Sequence, residues 1–61
     1  MAQLTAKELS AINELLTGEA HLVKKFQCLA DSTSNAELKA KFSDISSKHQ
    51  EHFNSIYEHL K

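Results

Sequence analysis

The apolar residues in the first half of the chain recur at alternating intervals of three and four. Leu9, Ile12, Leu16, Val23, Phe26 and Ala30 keep this spacing, and Glu19 occupies the one slot left over. Such spacing lays side chains along one stripe of an α-helix, the seam through which helices pack in pairs. A second seam follows at Leu38, Phe42, Ile45, His49, His52, Ile56 and His59. The chain has no proline and a single glycine, Gly18, so little interrupts either helix. No stretch alternates in the manner of a strand.

The ends of the two helices are marked by residues that satisfy orphan backbone groups. Thr5 with Glu8 three residues later forms the pattern of a capping box, and Leu4 with Leu9 that of a hydrophobic staple. The first helix is predicted over residues 6–30. The run DSTSNAE breaks it, because Asp, Ser, Thr and Asn bond their own backbone and favour turns. Ser34 or Asn35 then caps a second helix, predicted over residues 36–59, with Glu37 in its first turn. The expected domain is a single all-α helical hairpin over residues 1–61, each helix roughly 25 residues and nearly 40 Å long.

A hairpin of 61 residues cannot enclose a core. A monomer of this size buries only about 60% of its unfolded surface, and small folds add disulfides, metals or partner chains. One cysteine, Cys28, forms no internal disulfide and suits a reducing compartment. The net charge of -1 shows no basic patch for nucleic acid, and no apolar run approaches the roughly 20 residues of a membrane span. The segment MAQLTAKEL lacks the pattern of a signal peptide, so a cytoplasmic location is expected. A second copy remains as the source of stability. Leu15, Leu22, Leu29, Phe53 and Leu60 flank the seams and are expected to join it, giving a homodimeric antiparallel four-helix bundle. Glu37, Lys41, Asp44, Lys48, Glu51 and Glu58 form the opposite, solvated face of the second helix, with Glu37–Lys41 and Asp44–Lys48 at favourable spacing.

The register isolates an anomaly. Each seam is polar near its middle, with Glu19 in the first helix and His49 and His52 in the second. Counting outward from the turn brings all three into one layer. An unpaired buried carboxylate costs several kcal/mol unless it is neutralised. Metal coordination explains such a layer, since imidazole and carboxylate both bind Fe, Zn, Cu or Ni. A dimer would gather two glutamates and four histidines around one axis. The alternative is a hydrogen-bonded polar layer that sets register and partner choice. Both readings remain open. His59, near a helix end, is expected to be solvated, His21 to turn away from Glu19, and Cys28 to be a surface thiol. Tyr57 is expected at the rim. Gly18 admits either a close approach beside Glu19 or simple drift.

A mid-helix glutamate followed by a helix with a paired motif ending in histidine resembles half of a ferritin-like bundle, in which facing helices supply Glu and Glu-x-x-His ligands. More closely, LTAKEL, GEAHLVKKFQCLA and AELKAKFSDISSKHQEHFNSIYEHL together are similar to the spore coat protein F family and related small rubrerythrin-like proteins. The resemblance spans nearly the whole chain and rests mostly on helix pattern and KHQEHFNSI. It implies a ferritin-like fold and a spore-associated setting. Residue by residue, Glu19 matches the carboxylate ligand of the first helix, and His52 matches the histidine of Glu-x-x-His. His49 stands where di-iron members carry the bridging glutamate. That departure argues against a carboxylate-bridged di-iron centre and its ferroxidase or peroxidase chemistry. With no Cys-x-x-Cys iron site either, no catalytic residue is assigned.

Overall fold

The computed structural model describes residues 4–60. Two helices make up the structure, α1 over Ala6–Ser32 and α2 over Ala36–Tyr57, with a short 3-10 turn over Glu58–Leu60. They pack along each other as a hairpin with extents of 47 × 16 × 11 Å. Among the described residues no helix is long and apolar enough to cross a membrane.

Local chemistry sets the helix ends. The Glu8 amide donates to the Thr5 hydroxyl at 3.0 Å, and the Thr5 amide donates to the Glu8 carboxylate at 2.9 Å. These reciprocal bonds complete the capping box and hold the Glu8 carboxyl below its usual range, the backbone donor of Thr5 contributing most. Leu4 and Leu9 both remain exposed. α1 runs two residues past the expected Ala30. The Ser32 hydroxyl donates to the Cys28 carbonyl, and the Thr33 amide still reaches the Leu29 carbonyl at 3.1 Å. Asn35, rather than Ser34, caps α2 by accepting from the Leu38 amide at 3.0 Å.

The turn is locked from outside as well. α1 has no basic residue in its last turn. Lys39 of α2 supplies the cation instead, donating to the Ala30 carbonyl at 2.7 Å. That carbonyl belongs to the end of a helix, where partners are lacking and the dipole favours positive charge. Two turns further from the loop, the Ser46 hydroxyl donates to the Val23 carbonyl at 2.9 Å. Ser46 and Ala30 are buried, and their small side chains let the helices approach closely.

The α1 seam follows the expected spacing. Leu16 and Ala30 are buried, Ile12, Glu19, Val23 and Phe26 are half-buried, and only Leu9 at the open end is exposed. The α2 seam corrects the expected one. It runs through Phe42, Ser46, His49, Phe53, Ile56 and Leu60, with Ile45 half-buried beside it, while Leu38, His52 and His59 are exposed. Phe53 and Leu60, expected to await a second chain, are half-buried within the hairpin itself. A strict heptad count drifts by about 20° per heptad against a straight helix of 3.6 residues per turn. That drift reaches only about 40° over two heptads, less than the roughly 100° between adjacent residues, and the rest is a rotation of α2 already present where Ser46 is buried in place of Ile45. Asp44 and Lys48 form their ion pair at 3.4 Å on the outer face, and among the described residues Glu37 and Lys41 form none.

Candidate functional site

Near mid-length, the facing seams bring Glu19, His49 and His52 together. The three offer one ligand-type atom each, all within 4.8 Å of one another. Glu19 comes from α1, and both histidines come from α2, where a spacing of three residues keeps them on adjoining parts of one face. Glu19 Oε1 lies 2.6 Å from His49 Nδ1, and Oε2 lies 3.3 Å from His52 Nδ1. The carboxylate therefore addresses a different imidazole with each oxygen. Exposure falls inward across the group. The His52 side chain is 59% exposed, that of His49 23% and that of Glu19 16%.

Aromatic packing orients His49. Its ring stacks on Phe26 with centroids 6.0 Å apart and planes 17° from parallel. Phe26 in turn meets Phe42 at 6.0 Å. On its other side, His49 meets the edge of His52 at 5.6 Å and 87°. A ladder of rings thus runs from the loop half of the hairpin up to the carboxylate. With one face covered by Phe26 and Nδ1 engaged by Glu19, the His49 ring has little freedom to turn.

The donor set is chemically suited to a borderline transition metal, with two imidazoles and a carboxylate. Distances test the fit more finely. A tetrahedral ion with bonds of about 2.0–2.1 Å separates its ligand atoms by roughly 3.3 Å. The Glu19–His52 separation equals that spacing. The Glu19–His49 separation of 2.6 Å is a short hydrogen bond instead, so binding through these same two atoms would open it by about 0.7 Å.

The groove beside this cluster is about 280 Å³ and is lined by Glu14, Leu15, Gly18, Glu19, Leu22 and His49. Its apolar side is the flank of α1. A Cβ placed on Gly18 would meet nothing within 4 Å, so no close approach within the hairpin explains the glycine.

The remaining candidates lie away from the site. His21 is exposed on α1. His59 is exposed, with Nδ1 3.2 Å from the Ser55 carbonyl of its own helix. Cys28 is an exposed free thiol. Tyr57 is 47% exposed and stacks on Phe53. Two residues that fix the site's level, Ser46 and Lys39, escaped the sequence reading. The available signal for Ser46 was its place between Phe42 and His49 at helical spacing. Nothing in the sequence marks Lys39 among the chain's other lysines. Comparison with protein-family models, with curated proteins and with solved structures finds no match to this chain.

Proposed function

We propose that this chain is a small homodimeric protein that binds a divalent transition metal ion, Fe, Zn or Cu, through Glu19, His49 and His52. The convergence of three ligand-type side chains from two helices within 4.8 Å carries the reading. Each chain would contribute these three ligands in the core of an antiparallel four-helix bundle with ferritin-like architecture. Affiliation with spore-coat-like proteins and a cytoplasmic setting belong to the same proposal and rest on sequence pattern alone. No reaction forms part of it.

Metal content per chain tests it. The protein, purified without a histidine tag and titrated with Zn, Fe and Cu, takes up one tight ion per chain or one per dimer. His49→Leu abolishes uptake, and unchanged stoichiometry in that variant defeats the assignment.

The 2.6 Å Glu19–His49 bond supports a second reading, a structural or interaction protein whose polar layer only sets packing register. The two readings part on the double variant Glu19→Leu with His49→Leu. A polar layer kept for register costs more than apolar side chains of similar size, so the variant dimer melts higher. A metal centre lost to the same changes leaves metal-saturated wild type the more stable of the two.

A further inference from the structure

The hairpin leaves more surface bare than a folded chain of its mass should. Its accessible surface is 4796 Å², whereas a compact monomer of 6.8 kDa exposes roughly 4,000 Å². The excess of roughly 800 Å² is one side of a standard protein interface. The radius of gyration agrees, at 14.5 Å against about 10.5 Å for a globular chain of this length.

The bare surface has a definite place. Leu15, Gly18, Leu22 and Leu29 are spaced by three, four and seven residues and form a second stripe on α1, about 90° around from the seam that meets α2. Leu15 is 57% exposed and Leu29 38%, with Leu22 half-buried between them. A helix in a four-helix bundle contacts two neighbours, and α1 has one. On the same side of the hairpin α2 presents Leu38, Ile45 and His52, Leu38 being 44% exposed and Ile45 half-buried. Ile45 and Leu38 lie in the loop half of α2, and Leu22 and Leu29 lie in the loop half of α1. The face is therefore mostly apolar toward the loop, turns polar at Glu19 and His52, and beyond them keeps Leu15 as its apolar residue on α1.

We infer that a second copy of this chain covers the face, related by a two-fold axis running along the helices, so that the groove beside Gly18 receives His52 of the second copy. The inference names the partner that completes the proposed metal layer and rests on that reading. The orientation follows from the gradient, since only an axis along the bundle lays apolar half on apolar half. Levels within the hairpin set the contacts. Ser46 is bonded to Val23, Lys39 to Ala30, and both histidines to Glu19. An axis along the helices preserves these levels. Leu29 then lies against Leu38 of the second copy, Leu22 against Ile45, and Gly18 against His52. Gly18 has the empty space this needs, and the His52 side chain, 59% exposed, still presents surface toward the second copy. The two Glu19–His49–His52 groups share one layer around the axis.

Two measurements test this. Gly18→Ala adds a Cβ that meets nothing within 4 Å inside the hairpin, so weakening of the dimer at least tenfold by sedimentation equilibrium identifies the second copy as what occupies the groove; an unchanged dissociation constant overturns the contact. Separately, two chains are made in a Cys28→Ser background, one Leu29→Cys and one Leu38→Cys, then mixed and mildly oxidised. A disulfide between the two different chains, mapped by peptide mass spectrometry, is expected. A dimer that gives no such cross-link while Gly18→Cys cross-links to itself overturns the axis in favour of α1 packed antiparallel on its own copy. A wild-type mass of one chain, with zinc still bound, overturns the second copy and leaves the metal reading standing. A dimer with the expected cross-link and no bound zinc does the reverse.

Discussion

The two halves of the hairpin hold together by different means. Toward the loop, small residues are buried and hydrogen bonds tie helix to helix. Ala30 and Ser46 sit inside, with Ser46 on the Val23 carbonyl and Lys39 on that of Ala30. Toward the termini no hydrogen bond between side chain and facing backbone ties helix to helix among the described residues, and the contact rests on larger apolar side chains. Leu16 is buried there, but Leu9 is 43% exposed and Tyr57 47%. Glu19, His49 and His52 lie at the boundary. The comparison teaches that two helices alone can close around small residues, whereas large apolar ones need atoms on more sides than a single neighbour provides.

The largest effect that sharpens this contrast falls on Leu16. Leu16→Ala should cost about 2–3 kcal/mol, the low end for buried leucine, because the open flank lets the site collapse. Leu9→Ala should cost less than half of that in denaturant melts at the same protein concentration. Equal costs would mean that the open end around Leu9 is covered as well as Leu16 is. Next comes overpacking of the closed half. Ala30→Leu should destabilise by about 1–3 kcal/mol, as it forces a larger side chain into a buried position. A neutral or stabilising result would break the comparison.

A smaller loss, about 1 kcal/mol, is expected for Ser46→Ala. It removes the donor to Val23 while leaving that carbonyl its place in the α1 ladder. Hydrogen exchange checks where the effect is felt, with faster exchange near Val23 and little change near Leu9. The smallest effect lies at the open end. Thr5 depresses the Glu8 carboxyl below its ordinary value of 4.5. A depressed carboxyl contributes stability that is present above the ordinary value and is lost as pH falls through the depressed one. The stability difference between wild type and Glu8→Gln should therefore hold steady above pH 4.5 and shrink below it. A difference that grows on acidification would place the capping carboxylate in another state.

The all-helical hairpin was legible because its causes are local. The capping box at Thr5, the turn-forming run before Ala36 and the three-and-four spacing act within a few residues, so helix ends fell within two residues of those observed. The meeting of Glu19 with His49 was also legible, since counting residues outward from a short turn fixes the level of facing helices. What counting could not supply was rotation. Heptad spacing assigned His52 to the seam and Phe53 to the flank, and the structure reverses them. The angle at which one helix faces another is set by close packing of Ala30 and Ser46 and by the reach of Lys39, contacts made across 9 and 23 residues of chain. Sequence by itself determined which residues form helices and which share a level. Tertiary structure alone decided which side of α2 turns inward, because that choice depends on how side chains from both helices fill the space between them.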